Sequence, residues 1–227
     1  MCKFPGLCLR GKDIALHLTK RDRPACQCTI GHALFAGIAT PERAARVAET
    51  LVGPASFSGW GIRTVASSEA RFNPISYHNG SIWPHDNAIN ALGFARYGFL
   101  SQAAQVFSAM FEAAAYQDLR RLPELFCGFA RRPRRGPIAY PAACAPQAWA
   151  CAAPFTFLAS CLGMEPNHET NILCFHDPVM PCFLDYVILS QLRLGNSRLD
   201  LRLQRHGDDV TVNLMQRRGD ARVMLVK

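Results

Sequence analysis

Two segments with a helical hydrophobic period, each opened by a proline, flank a long stretch that has no such period. The first segment runs from Pro41 to a stop at Gly53, and the second runs from Pro84 to Gly98. Proline is favoured at the first position of a helix, where its missing N–H group is not needed. Residues 54–82 carry turn-forming residues instead, and a long loop in a compact domain is usually functional. This order predicts helices joined by polar loops that carry a site.

Two further helices are predicted downstream. One starts at Ser101 and carries a wide apolar stripe that includes Phe107. The other begins within residues 145–149 and reaches Gly163, with Pro154 inside it as a kink or a restart.

The hydrophobic period changes beyond Pro181. Residues 199–204, 210–214 and 222–226 alternate apolar and polar side chains, and Gly-Asp turns lie between them. This pattern predicts a small antiparallel β tail, and a short helix is expected before it over residues 185–191.

The composition excludes several classes of protein. Of the 227 residues, 49% are hydrophobic and 19% are charged, which is typical of a globular protein rather than a disordered one. The net charge is +8, but the excess lies in scattered arginines and one loop, residues 131–135. The sequence therefore lacks the basic helix face of a nucleic-acid-binding protein. No apolar run approaches the roughly 18 residues that a membrane span needs.

The ten cysteines are scattered, and Cys26 and Cys28 are the only close pair. Without a secretory leader, this spacing favours reduced thiols in a cytoplasmic protein over a disulfide framework. Residues 1–24 show no period, cap or turn pattern, and they are expected to be an atypical segment left by a truncated or misplaced start.

The densest chemical motif runs from Tyr77 to Asn87 with the sequence Tyr-His-Asn-Gly-Ser-Ile-Trp-Pro-His-Asp-Asn. Each of its imidazole, carboxylate and amide groups would need a polar partner in a core. They suit a pocket for a polyhydroxylated ligand, with Trp83 as a flat wall. A second segment, residues 121–128, carries Glu124 between leucine and proline neighbours that are expected to desolvate its carboxylate partly. The two segments together indicate sugar chemistry.

Four ordered segments, residues 57–64, 73–87, 121–128 and 140–149, resemble the bacterial amylo-α-1,6-glucosidase family, which is similar to glycogen-debranching enzymes. The resemblance implies an all-α (α/α)6 toroid of six helical hairpins, whose loops build the active site at one end. It also implies inverting hydrolysis by two carboxyl groups about 6.5–9.5 Å apart, without a cofactor. By this resemblance Glu124 is the general base.

The resemblance also implies parts that this chain does not contain. In relatives the general acid lies in an upstream segment, and four predicted helices fall short of the twelve that close such a toroid. Residues 25–192 are therefore expected to be the C-terminal part of an incomplete (α/α)6 catalytic domain, followed by the β tail at 193–227. Asp86 is the first acid within the chain that would replace the missing one.

The resemblance assigns the terminal glucose to a set of aromatic and polar residues: Tyr77, His78, Asn79, Trp83, His85, Asp86, Gln147 and Trp149. Each has a structural alternative. Trp83 would otherwise anchor the helix that follows it, and Asp86 would interact with the helix dipole. Gln147 and Trp149 would form a capping turn and a core contact, and Glu124 would be a solvated loop residue or a helix cap.

No metal site is predicted, because His78, His85 and Asp86 match no standard zinc spacing. Arg63 and His32 are weaker candidates, and His32 is expected to be structural. The sequence thus predicts a hydrolase acting on α-1,6-glucosidic linkages of glycogen-like glucans or oligosaccharides, with no nucleic-acid or membrane partner. The alternative is a catalytically incomplete fragment that at most binds carbohydrate.

Overall fold

The computed structural model describes residues 28–227, so the predicted segment at 1–24 and Cys26 lie outside the described residues. In the described part of the chain, five α-helices are followed by six β-strands. The helices are α1 (Ile30–Phe35), α2 (Pro41–Val52), α3 (Pro84–Arg96), α4 (Leu100–Ala114) and α5 (Ala148–Cys161), with a 3-10 turn at Asp118–Arg120. The strands are β1 (Met164–Asn167), β2 (Ile172–His176), β3 (Tyr186–Leu194), β4 (Ser197–His206), β5 (Asp209–Arg218) and β6 (Arg222–Val226).

Helix α3 lies at the centre of the helical region. It packs against α1, α4 and α5, and α2 contacts α1. Their shared core contains the fully buried rings of Phe94 and Phe157, and Phe107 stacks on Phe157 with ring centroids 5.5 Å apart. Full burial of one such side chain stabilises a fold by about 1.5–3 kcal/mol. Packing of apolar faces therefore holds these short helices in place, since isolated helices of this length are marginal.

The helix starts predicted from proline are confirmed, because both α2 and α3 have proline in the first turn. Helix α3 also has Asp86 in its first turn and Arg96 in its last, and both charges complement the helix dipole. Helix α5 continues through Pro154, which is exposed.

The strands form two three-stranded sheets with a core of their own. The first sheet has the order β1-β2-β6 with β6 parallel to β2, and the second is antiparallel in the order β3-β4-β5. Leu199, Leu201 and Leu203 of β4 are fully buried, and the residues between them are exposed or half-buried. They share a core with Leu173 and Phe175 of β2. The two sheets thus pack in a sandwich-like arrangement, each turning its apolar side chains towards the other.

The prediction of an all-α (α/α)6 toroid is wrong. Five helices in the described residues are joined by two β-sheets, and strand structure begins at Met164. Short apolar segments such as Ile172–His176 are too brief for a helical period, and they bury alternate residues as strands do.

The short helix expected over residues 185–191 is also wrong. Tyr186–Leu194 is strand β3, which pairs with β4 through Leu189 and Leu201. A short apolar run of this kind fits a helix or a strand by pattern alone, so the pairing with β4 decides its structure.

The three strands predicted from period two are confirmed as parts of β4, β5 and β6. Strand β6 differs in its partner, since it pairs in parallel with β2 instead of extending an antiparallel tail. The division of the chain into domains at residue 193 stays a prediction. Within residues 28–227 no helix is both long enough and apolar enough to cross a membrane.

Candidate active site

A cavity of about 530 Å³ lies at the N-terminal ends of α3 and α5. Seven of the eight residues predicted to bind sugar contribute to its wall. The lining residues are Cys28, Thr29, Thr64, Val65, Arg71, Tyr77, His78, Asn79, Trp83, His85, Asp86 and Trp149. Gln147 is the exception, because it is the N-cap residue of α5 and its side chain accepts a hydrogen bond from the Ala148 N–H group.

Short backbone bridges bring the distant loop segments together. Ile82 pairs with Arg63 on one side and with Phe126 on the other, and Phe126 pairs in turn with Ala139. The Ile82 and Phe126 backbones exchange N–H···O bonds of 3.0 and 2.9 Å. This small ladder fixes the Tyr77 loop beside the Glu124 loop, although 47 positions separate the two residues.

The close approach of these loops depends on Gly128. A Cβ atom at this position would lie 1.6 Å from the Gly80 carbonyl oxygen, which is far below any allowed contact. Only glycine lets the two backbones meet here.

Buried polar side chains hold the same loops from behind. Asn87 accepts a hydrogen bond of 2.6 Å from the Ile62 N–H group and donates to the Ile62 and Trp83 carbonyl oxygens at 3.1 and 2.9 Å. The Arg63 guanidinium donates to the Gly128 carbonyl oxygen at 2.7 Å, and burial lowers the pKa of this side chain. Both residues shape the site without lining the cavity, so Arg63 has a structural role.

Glu124 is buried, and both of its carboxylate oxygens are hydrogen-bonded. The Cys144 N–H group donates to Oε2 at 3.1 Å, and the Tyr77 hydroxyl donates to Oε1 at 2.7 Å. These bonds, with that from Cys144 the strongest influence, lower the pKa of Glu124 despite the opposing effect of desolvation. The Gln147 side chain adds a smaller effect in the same direction. Glu124 is therefore a carboxylate at neutral pH, as a general base must be.

Asp86 has two partners that its place in the sequence did not indicate. His32 Nε2 lies 2.7 Å from Oδ1, and the Cys28 thiol donates to Oδ2 at 2.6 Å. Burial raises the pKa of Asp86, but the bonds from His32 and Cys28 together outweigh it, and the net pKa is lowered. The same burial, with Asp86 nearby, raises the pKa of the Cys28 thiol well above its usual value.

The spacing of Cys28 and His32 was the signal for this cluster. Positions four apart lie on one face of a helical turn, so both side chains can reach a single acceptor. His32 was expected to be structural, and the geometry instead pairs it with a residue of the cavity wall.

The aromatic residues of the cavity differ in exposure. Trp83 is only 6% exposed, whereas Trp149 is 45% exposed. Trp149 stacks on His85 with ring centroids 4.0 Å apart and planes 9° from parallel. Desolvation is the main cause that lowers the pKa of His85, so this imidazole is neutral at neutral pH. The Trp149–His85 pair thus offers the more open flat surface, and Trp83 lies behind it at 6.1 Å from Trp149.

Comparison with known proteins gives one informative match. Residues 25–130 match the family described as the mannosylglycerate hydrolase MGH1-like glycoside hydrolase domain. This stretch includes Glu124 and the whole motif from Tyr77 to Asn87. The match supports a glycoside hydrolase. It supports a family of the six-hairpin type and a carbohydrate substrate, without the specific debranching activity that the sequence resemblance implied.

One solved structure is also similar to this chain. It is the crystal structure of an uncharacterized conserved protein from Thermus thermophilus, with 20% sequence identity and a TM-score of 0.47. The similarity covers 59% of this chain and 30% of that chain, so this chain spans less than a third of that protein. No curated protein matches the chain.

The chemistry of the cavity suits the hydrolase. Among residues 28–227, no group of three or more His, Cys, Asp or Glu side chains is arranged to hold a metal ion. The site combines a carboxylate that can accept a proton with an aromatic wall and several hydrogen-bonding groups, which together fit a sugar ring and its hydroxyls.

Proposed function

We propose that this chain carries the general base and the sugar-binding wall of an inverting glycoside hydrolase that acts on α-1,6-glucosidic linkages of glycogen-like glucans or oligosaccharides. The observation that supports it most is the setting of Glu124. Its carboxylate is kept ionised by two hydrogen bonds at the edge of an aromatic and polar cavity. It also lies in a segment that matches a glycoside hydrolase domain.

In this mechanism Glu124 accepts a proton from a water molecule, and the water oxygen attacks the anomeric carbon as the glycosidic bond breaks. The leaving oxygen must receive a proton from a general acid on the other face of the sugar. The terminal glucose stacks on the Trp149–His85 pair. His78, Asn79 and the edge of Trp83 complete the wall that surrounds it.

Asp86 does not suit the role of the acid. A general acid must hold a proton near neutral pH, which needs a raised pKa, whereas the pKa of Asp86 is lowered and both of its oxygens already accept hydrogen bonds. We therefore assign the acid to a residue outside 28–227 and give Asp86 a role in shaping and polarising the cavity. A cytoplasmic location stays part of this proposal.

A substrate that needs no general acid tests the base directly. The fluoride of α-glucosyl fluoride leaves without full protonation, so the purified 227-residue chain is expected to hydrolyse it even when it is silent on a limit dextrin. Nuclear magnetic resonance should detect β-glucose as the first product, because the mechanism inverts the anomeric centre. The variant Glu124→Gln should lose this activity, and Glu49→Gln, an exposed position on α2, should keep it.

The outcomes separate the two functions in question. Fluoride release that survives in Glu124→Gln excludes Glu124 as the base. No release from a folded chain that still binds maltooligosaccharide in calorimetry would favour the alternative, a carbohydrate-binding fragment without catalysis. A parallel reaction with α-mannosyl fluoride tests the sugar that the name of the matched family carries.

A further inference from the structure

The Tyr77 hydroxyl points at the candidate base rather than into the cavity. It donates to Glu124 Oε1 at 2.7 Å, so its proton is already used when no sugar is present. From the sequence resemblance, Tyr77 was expected to bind the glucose. With its proton given to Glu124, the hydroxyl can offer a ligand only an acceptor lone pair.

We propose that Tyr77 is a positioning residue, which orients and ionises Glu124 and links it to the wall of the sugar site. The inference rests on the proposed role of Glu124 as the base. It adds a residue whose function is exerted through another side chain and not through contact with the substrate.

Three aromatic contacts fix the phenol ring. Tyr77 packs edge-to-face on Trp83 at 4.8 Å, on His78 at 4.7 Å and on Tyr140 at 5.6 Å. Aromatic pairs favour this edge-to-face arrangement, because the positive edge of one ring meets the negative face of the other. A ring held from several directions brings its hydroxyl to one place, and that place is Glu124.

The same residue is tied to the wall through its backbone. The Tyr77 carbonyl oxygen accepts hydrogen bonds from the Ser81 hydroxyl at 2.5 Å and from the Trp83 indole N–H at 3.3 Å. The indole also donates to the Ser81 hydroxyl at 2.8 Å. A shift of Trp83 when a sugar binds is therefore transmitted through Tyr77 to the carboxylate of Glu124.

The hydrogen bond also leaves room for the attacking water. Each carboxylate oxygen has about two acceptor sites, and Tyr77 and Cys144 occupy one site on each oxygen. A water molecule can bind the remaining site without displacing either partner. The bond to Glu124 raises the pKa of Tyr77 to about 12, so the phenol remains a donor throughout the working pH range.

The test compares Tyr77→Phe with Tyr140→Phe, a matched loss of a hydroxyl in the same aromatic cluster. Glutamate labelled with ¹³C at the side-chain carboxyl reports each titration, and the resonance missing from Glu124→Gln assigns the base. We expect the pKa of Glu124 to rise in Tyr77→Phe, because a donor that stabilises the charged form is gone, and to stay in place in Tyr140→Phe. Circular dichroism confirms that both variants fold.

The kinetic test uses α-glucosyl fluoride. Tyr77→Phe should lower kcat about tenfold and move the acidic limb of the pH profile to higher pH, with KM changed less than about twofold. A raised KM with an unchanged pH profile would show that Tyr77 only binds sugar and would overturn the proposal. An unchanged Glu124 titration would overturn it as well.

The titration does not depend on turnover. If no variant hydrolyses the fluoride, the proposed hydrolase fails while the coupling of Tyr77 to Glu124 is still decided by the ¹³C measurement. The two failures are therefore distinguishable.

Discussion

The loops around the cavity and the two β-sheets bury different kinds of side chain. Of the nine buried polar or charged residues in the described chain, seven lie between Ser56 and Glu124, and only Ser197 lies in the strands. The sheets bury alternate leucines, and their ion pairs, such as Lys227 with Asp209, lie on the surface. Burying a polar group without a partner is costly. A region that buries many, most of them held by hydrogen bonds, is specified by more than stability.

This contrast predicts that substitutions in the loops change activity more than stability, whereas substitutions in the sheets do the reverse. The largest effect is expected for Glu124→Gln. Loss of a general base lowers the rate by a factor of about 10²–10⁴, while the unfolding free energy should change by less than ~1 kcal/mol because the amide keeps the Tyr77 contact. Rates on α-glucosyl fluoride and a urea unfolding curve measure the two quantities. A large stability loss without a change in rate would place Glu124 with the scaffold.

The next largest effect is expected in the sheets. Leu201→Ala removes a fully buried side chain of β4 and should lower the unfolding free energy by about 3 kcal/mol through the cavity it leaves. Met215→Ala on β5, where the side chain is 60% exposed, should change it by about 0.5 kcal/mol or less. Equal effects from the two substitutions would mean that the β4 core does not stabilise the region.

Asn87→Ala should combine both behaviours. It leaves the Ile62 N–H and C=O groups without partners and should cost about 2 kcal/mol of unfolding free energy. Activity should fall as well, because Asn87 joins the start of α3 to the loop behind the cavity. The control is Asn213→Ala, at an exposed position of β5. A variant with native stability and native activity would exclude this joining role.

The smallest expected effect depends on pH. The pKa of Asp86 is lowered in the folded state, so its contribution to stability is present above the unfolded value of about 3.9 and is lost as pH falls through the folded value. Asp86→Asn should therefore be less stable than the parent by about 1–2 kcal/mol at pH 7, discounted because His32 is 37% exposed.

The difference between Asp86→Asn and the parent should shrink as pH falls below about 4. Thermal unfolding from about pH 3 to pH 7 measures it, with the exposed Asp118→Asn as the comparison. A difference that grows towards acid pH would mean that the folded pKa of Asp86 is raised instead of lowered.

Most local structure follows from the amino-acid sequence alone. Proline at the start of α2 and α3 and the alternating leucines of β4 are local signals, and each of these elements formed where its pattern indicated. Most of the motif from Tyr77 to Asn87 reached one cavity because its members are neighbours in the chain.

Tertiary packing settles what such local patterns leave open. Strand β3 fits a helix equally well by pattern until β4 supplies its hydrogen-bonding partners, and the packing of two sheets replaced the expected toroid. The bonds from Tyr77 to Glu124 and from Cys28 and His32 to Asp86 join residues 47 to 58 positions apart. Such contacts exist only when the loops between them are folded, because a side chain reaches a few ångströms and its pattern along the chain carries no record of a distant partner.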